Sequence, residues 1–510
     1  GFFLAPFEPI AIFTHLNNLK QMQYKNIPYL LAISPILFLI LLLSFNVVMY
    51  DDAIGGSNQL ALLFSGALAA IIGIYYGSKW KDIMEGIGNS IKSIVPAIIM
   101  LLLIGSLAGT WLISGVIPTM IYYGLQILNP TIFLFAAAII TAIISLATGS
   151  SWSTIATIGI ALLGIGTAIG LPVGLIGGAI ISGAYFGDKM SPLSDTTNMA
   201  AALSGVDLFD HIRYMMYTTI PSFIITLILF LGIGFYFTTD VSSGQIEEAL
   251  GLISAKFTIT PWLFLVPITV IVMVIKKVAA IPALFFGTLL GGVFAIIFQP
   301  DIVVEVSGTS VSSMSSYYMG VLNAMIGDIN FTTVNASIND VFNVAEADRS
   351  DLLKSGGMYG MLNTLLLMLC AMTFSGAIES TGLLRRIADP IVEYAKNTGS
   401  LIATTASTCI FFNITASDQY MSIVVPGRMF ADTYKEKGLA PENLSRTLED
   451  SGTVTSVLIP WNSCGATQSA VLGVATLAYL PFCFFNLISP LMTIAYGYFG
   501  IKIHKLKGNE

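Results

Sequence analysis

Charge is what this chain of 510 residues has least of: only 10% of it is Asp, Glu, Lys or Arg, against about 25% in an ordinary soluble domain. So few charges cannot cover the water-facing surface of a protein this long, and a soluble fold is excluded. Basic charge is the scarcer sign. With 22 Lys and Arg against 29 Asp and Glu, the net charge is −7, which leaves no basic face for a phosphate backbone. Cysteine and histidine are sparse as well. Cys370, Cys409, Cys464 and Cys483 form no CxxC or His/Cys cluster, so a disulfide framework and a zinc site are not expected and the four read as small core residues. His15, His211 and His504 are scattered and read as solvated juxtamembrane residues. No nucleophile motif is present, so the expectation is a transporter rather than an enzyme, with no cofactor.

What is abundant is apolar. Hydrophobic residues make up 55% of the chain and mean hydropathy is +0.83. They fall in blocks long enough for a helix to cross about 30 Å of hydrocarbon. Uninterrupted spans occupy 28 to 49, 58 to 76, 93 to 114, 214 to 238, 259 to 276, 280 to 299, 357 to 378 and 480 to 502. Four further stretches, 131 to 169, 171 to 204, 400 to 433 and 449 to 477, are broken by polar residues, Gly and Pro. Unwound backbone survives at membrane depth only when buried in protein or lining a cavity, as transport sites require. Residues 1 to 21 carry no signal-peptide pattern and read as an extension.

Lys and Arg in short loops set the orientation. Lys20, Lys25, Lys79, Lys81, Arg213, Lys276, Lys277, Arg385, Arg386, Lys396, Lys435, Lys437, Arg446, Lys502, Lys505 and Lys507 fall on one side, read as cytoplasmic. Asp51, Asp52 and the loops at 239 to 258 and 300 to 356 fall outside, and both termini inside. The assignment closes if 131 to 169 and 400 to 433 are re-entrant hairpins, while 171 to 204 and 449 to 477 cross once as interrupted helices. The expected fold is an all-α polytopic membrane protein with about ten crossings and two hairpins.

The chain also repeats itself. Gly109 and Gly115 recur as Gly376 and Gly382, and Thr148-Gly149-Ser150 as Thr415-Ala416-Ser417, at an offset of 267; Pro192 matches Pro460 at 268. Loop charges run the two copies in opposite directions, so two inverted-topology repeats are expected. The expected organisation is an N-terminal extension (1–27), a first membrane helix and loop (28–57), repeat A (58–238), a connecting loop and linking helix (239–279), repeat B (280–502, with an external insertion at 300–356) and a tail (503–510).

The carboxylates that do not sort to loops are the candidate site. A carboxylate at membrane depth costs roughly 3 kcal/mol and is functional by default. Asp418 lies in the second hairpin tip, Asp195 beside the break at Pro192, and its repeat mate Ser463 is uncharged. Hard cations such as sodium want oxygen ligands. Thr148, Ser150 and Ser151 in one tip, Thr415 and Ser417 in the other, and Asn462 beside Pro460 supply hydroxyl and amide oxygens around sodium at Asp195 and Asp418. Each proline frees a carbonyl and marks an unwound elbow. Proton and cation competing for one oxygen pair would suffice for exchange. Asp188 either joins the site, pairs with Lys189 or caps a half-helix. Glu449 and Asp450 either join it or serve as helix-dipole partners. Glu379 reads as a solvated partner of Arg385 or Arg386.

Thr148 to Trp152, the run Gly183-Ala184-Tyr185-Phe186-Gly187-Asp188-Lys189-Met190-Ser191-Pro192-Leu193-Ser194-Asp195-Thr196-Thr197-Asn198, and Pro460 to Gly465 together resemble the NhaC-type sodium/proton antiporter family over about residues 30 to 505. The resemblance implies a bacterial inner-membrane secondary transporter of the ion-transporter superfamily, with inverted repeats and an elevator-type homodimer. It implies sodium ions and protons as partners in the bilayer. Relatives of this type include malate and lactate exchangers coupled to sodium and protons, so a small organic acid stays open as a further substrate. An uncoupled ion channel is the reading from a different class.

Overall fold

Apolar blocks this long satisfy their backbone groups only within themselves when water is absent, so they fold as helices. The computed structural model of the protein describes residues 27–50, 56–127, 129–236, 243–276, 278–342, 351–388, 390–391 and 395–506. The expected extension up to residue 26, together with Asp51, Asp52, Lys277 and Lys507, lies outside them, and with it His15, Lys20 and Lys25.

The first half runs through α1 (Tyr29–Tyr50), α2 (Gly56–Tyr75), α3 (Trp80–Ser93), α4 (Val95–Ile113), α5 (Val116–Ile127), α6 (Pro130–Thr148), α7 (Ser151–Thr154), a π-helical turn (Ile155–Gly159), α8 (Ile160–Ala168), α9 (Val173–Met190), α10 (Asp195–Ser204) and α11 (Leu208–Tyr236). A connection of α12 (Ser243–Lys256) and α13 (Leu265–Ile275) leads to α14 (Ala280–Phe298). Next come α15 (Pro300–Ser307), α16 (Met314–Ile326), α17 (Thr332–Val341) and α18 (Leu362–Ser380), with the two-residue strands β1 (Ile329–Asn330) and β2 (Lys354–Ser355) paired antiparallel. The remainder is α19 (Leu383–Ala388), α20 (Thr398–Thr415), α21 (Met421–Glu436), α22 (Glu442–Leu448), a second π-helical turn (Glu449–Thr453), α23 (Ser463–Leu472), α24 (Thr476–Tyr479) and α25 (Phe484–Phe499). Eight of these segments are long and apolar enough to cross a membrane, and ten if two bent pairs count as spans, so the protein is a multi-pass helical membrane protein.

One expected straight span, 480 to 502, is bent: the segments before and after Cys483 meet at 55°. The expected outer loop at 239 to 258 contains helix α12, which meets α13 at 83°. The expected external loop at 300 to 356 is largely helical, and α16 is wedged against α4: a Cβ on Gly109 would overlap the carbonyl of Ala324. Its polar sequence hid this packing.

Both stretches fold as helical hairpins, and the two arms of the first are each long and apolar enough to cross a membrane. Helix α6 opens with Pro130 behind Asn129, whose side chain accepts from Thr131 N–H, and ends at Gly149 in the left-handed conformation, a common helix stop. The chain then doubles back through α7 and α8, so that Gly166 near the end of α8 lies against Phe133 near the start of α6. Helices α20 and α21 do the same: the Tyr434 hydroxyl reaches Thr405 Oγ1 at 3.3 Å. Both proline elbows are also found, at Ser191–Ser194 between α9 and α10 and at Ile459–Asn462 before α23.

Backbone conformation recurs between the halves. Positive φ occurs at Gly115 and Gly382, Gly149 and Ser417, Gly170 and Gly438, and Gly205 and Gly473, each pair 267 or 268 positions apart. In the second tip the left-handed residue is Ser417, not Ala416. Packing is exchanged as well. Helices α14 and α16 of the second half lie on α4 of the first, while α2 and α3 of the first lie on α18 of the second, where a Cβ on Gly376 would strike the Ile87 backbone. The paired glycines at 109 and 376 are points of close backbone approach in these two crossings.

Candidate functional site

Each hairpin tip is seated on the elbow of its own half. In the first, Leu193 of the elbow fills the space beside Gly149, where a Cβ would come within 2.5 Å of the Leu193 Cβ. Ser151, the first residue after the turn, donates its backbone N–H (3.0 Å) and its hydroxyl (2.7 Å) to Asp188 Oδ2. Both bonds fall on one oxygen, which leaves Oδ1 to a further ligand; the Ser194 hydroxyl stands nearby. Asp188 is 7% exposed. It thus does not pair with Lys189, and by accepting Ser151 N–H it caps the start of the half-helix α7. Thr148 Oγ1 lies 3.3 Å from Thr154 Oγ1, and Ser150 Oγ accepts from Ser153 N–H as the cap of α7. The Pro192 carbonyl accepts from Asn198 Nδ2 at 3.0 Å, and the Asp188 carbonyl, four residues before the proline, accepts Ser191 N–H at 3.0 Å.

In the second half, Ser417 is held at φ 56°, an unusual conformation for serine, and its carbonyl accepts Ser463 N–H at 2.9 Å. Its buried hydroxyl has no partner among the described residues. Asp418, 5% exposed, accepts Met421 N–H on Oδ1 at 2.9 Å, at the start of α21. Asn462 caps α23 by accepting from Cys464 N–H and donates to Asn413, which in turn donates to Gly452 O and Thr455 Oγ1. Thr415 is spent on its own helix, donating to Phe411 O.

The two halves meet around Tyr420 and Cys464. The charges of Asp188, Asp195 and Asp418 all reach the Tyr420 phenol. The Cys464 thiol donates to Gln419 Oε1 at 2.8 Å and lies against Trp152 of the first tip and Tyr185 of α9. Asp195 itself opens α10 with its side chain exposed.

A second buried polar group lies next to this one. Lys189 Nζ pairs with Asp450 Oδ1, both side chains fully buried. Asp450 also accepts from Thr218 (2.8 Å) and Ser489 (3.3 Å), so it sits in an ion pair rather than at a helix start. Glu449, next in sequence, is also fully buried, and neither of its oxygens has a hydrogen-bond partner among the described residues.

Three charge assignments change. Arg446, counted above as a loop charge, is fully buried, with its guanidinium over the Tyr214 ring at 4.5 Å and Nη1 donating to Lys502 O. His211 is buried and bonded to Ser445 Oγ at 2.7 Å, while His504 is exposed beside Glu442. Glu379 is half-buried within electrostatic reach of Asp418, and Arg386 donates instead to Ile27 O. Sequence reading passed over Lys189, Asn413, Gln419 and Tyr420 as members of the site. Lys189 and Asn413 carried a signal, as polar side chains inside apolar segments.

A model of the Na+/H+ antiporter family matches residues 183–501. The chain is 37% identical to the Na(+)/H(+) antiporter NhaC of Alkalihalophilus pseudofirmus, over 86% of this chain and 89% of that one. It is 36% identical to the malate-2H(+)/Na(+)-lactate antiporter of Bacillus subtilis, over 92% and 94%. It is 34% identical to the arginine/ornithine antiporter ArcD of Halobacterium salinarum, over 93% and 92%.

Proposed function

Because the chain belongs to the Na+/H+ antiporter family, we propose that it is a secondary transporter exchanging sodium ions for protons across a bacterial inner membrane, with both termini cytoplasmic. The observation that carries this reading is the pair of hairpin tips, each seated on a broken helix with one nearly buried carboxylate, Asp188 in one and Asp418 in the other. Each keeps one oxygen outside the hydrogen bonds to Ser151 or Met421, with the Ser151 and Ser194 hydroxyls beside Asp188 and the unpartnered Ser417 hydroxyl next to Asp418 in sequence. That is the oxygen-rich set a small hard cation takes in place of its hydration shell.

The roles differ from a plain reading of the motif. Asp188 with Ser151, and Asp418 with Ser417, hold the cation, while exposed Asp195 draws cations to the mouth. Asp450 stays outside the cation set because Lys189, Thr218 and Ser489 occupy it. The halves are inverted repeats; the exchanged packing of α4 and α18 and the matched left-handed positions support a pseudo-twofold relation. Helices α6 to α10 and α20 to α23 move together as one body, elevator fashion, against a scaffold of the remaining spans in a homodimer.

The test is dissipation of an imposed pH gradient in proteoliposomes on adding sodium. Absence of a response across a wide pH range would remove the reading. An organic-acid exchanger is the second reading, favoured by the relatives named for malate, lactate and arginine. The same vesicles, run with a cation panel with and without dicarboxylates, separate the two, since exchange with sodium and protons alone excludes an obligatory organic substrate.

A further inference from the structure

Sodium/proton exchange needs a group that carries the proton, and the simplest arrangement makes one carboxylate serve both ions in turn. The structure contains a carboxyl group suited to the second task alone. Glu449 is 0% exposed, and both of its oxygens lack a hydrogen-bond partner among the described residues. The hydroxyls of Thr453 and Thr196 stand beside it without closing a bond, and those of Thr453 and Ser451 are likewise buried and unpartnered. An ionised carboxylate stripped of water and of donors is among the most costly groups a protein interior can hold.

Its surroundings offer little to balance a charge. From α9, Lys189 faces Glu449, with its ammonium shared with Asp450 and Ser489, and the preceding Asp188 lies within electrostatic reach. From α20 comes the neutral thiol of Cys409, and behind it Tyr434 of α21. From α10 comes only the Thr196 hydroxyl. On its own helix, Arg446 is turned onto the Tyr214 ring and Asp450 is closed in its ion pair. The π-helical turn puts Glu449 and Asp450 side by side in different environments: Asp450 is bound on both oxygens, Glu449 on neither.

We propose that Glu449 is the proton carrier of the exchange cycle, separate from the cation site at the hairpin tips. This rests on the sodium/proton reading above. In the resting state Glu449 is the acid. Its O–H bond breaks when the site opens to water on one side, the proton passing to water, and re-forms on the other side. The adjacent Lys189 ammonium and a cation arriving at Asp188 balance the carboxylate in between. Bare hydroxyls within reach of Glu449 give water a place to enter during that step.

The experiment uses the full-length protein in proteoliposomes and the probe ion sodium. Radioactive sodium uptake driven by a pH gradient needs the proton carrier, whereas exchange of internal for external sodium does not. If wild type shows no gradient-driven uptake, the sodium/proton reading itself fails, before any variant is compared. With wild type active, Glu449→Gln is expected to lower gradient-driven uptake at least about tenfold while sodium–sodium exchange falls by less than about threefold. Gradient-driven uptake that survives in Glu449→Gln overturns the proposal.

A second measurement needs no variant. A hydrophobic carbodiimide couples to a buried carboxylic acid, and mass spectrometry locates the adduct. Glu449 is expected to be modified, and saturating sodium, by placing a cation at Asp188, is expected to slow the modification because it favours the ionised form. A Glu449 that stays unmodified in the absence of sodium overturns the proposal. This labelling also decides the case in which Glu449→Gln loses both modes of transport.

Discussion

Ser151 places two donors, its backbone N–H and its hydroxyl, on a single oxygen of Asp188 across 37 positions of sequence. The first hairpin tip is thereby latched to the end of α9, immediately before the Pro192 elbow. Two charge-assisted bonds on one buried oxygen fix the carboxylate and leave the other oxygen directed away from the latch.

Removing the charge should therefore cost transport more than fold. Asp188→Asn keeps the side-chain volume but offers a cation a neutral oxygen, and the apparent KM for sodium should rise at least about tenfold. Ser151→Ala should weaken uptake and Ser151→Thr should restore most of it. Initial rates of radioactive sodium uptake against sodium concentration check both. Equal kinetics for Asp188→Asn and wild type would remove Asp188 from the cation site.

Asp195 should behave differently because it is exposed. Asp195→Asn should change the apparent affinity by less than about threefold, and the difference should shrink as ionic strength rises, since an exposed charge acts through a screened field. Kinetics with choline chloride as the added salt test this. A loss as deep as that of Asp188→Asn would return Asp195 to the ligand set.

The Lys189 and Asp450 pair makes a prediction about stability. Breaking a buried pair on one side strands the other charge and costs about 3 to 5 kcal/mol, while replacing both with apolar groups costs far less. Lys189→Met alone and Asp450→Leu alone should lower the unfolding temperature of the detergent-purified protein, and the double variant should recover most of the loss. Additive losses in the double variant would show that the pair is not a stability unit.

At Gly109 and Gly376 the backbone of a crossing helix occupies the space a Cβ would need. Overpacking at such a site costs about 1 to 3 kcal/mol, so Gly109→Ala and Gly376→Ala should each lower the unfolding temperature. Alanine at Gly232, with nothing within 4 Å of the added carbon, is the control. A drop at Gly232 equal to the other two would sink the close-approach argument.

Much of the fold was legible because its signals are local. Apolar block length announced the spans, and Pro192, Pro460 and the Thr148 and Thr415 tips announced the breaks. What was misjudged had signals that are not local. The helices of the 300 to 356 segment read as an external loop because α16 packs against another half of the chain. Arg446 and His211 read as solvated because nothing adjacent in sequence reveals the Tyr214 ring or the Ser445 hydroxyl that meets them. The left-handed conformation of Ser417 is visible only in backbone dihedrals.

By itself the sequence determined that the protein lives in a membrane, that it is helical, where its helices break, and that its unsorted carboxylates cluster at those breaks. These follow from hydrocarbon thickness and from proline's missing donor, which act on neighbouring residues. Tertiary structure alone decided which donors each carboxylate meets. Asp188 is latched by a serine 37 positions away, Asp450 is paired with a lysine 261 positions away, and Glu449 beside it has no hydrogen-bond partner among the described residues. A carboxylate's role depends on which donors surround it, and folding brings those donors from distant parts of the chain.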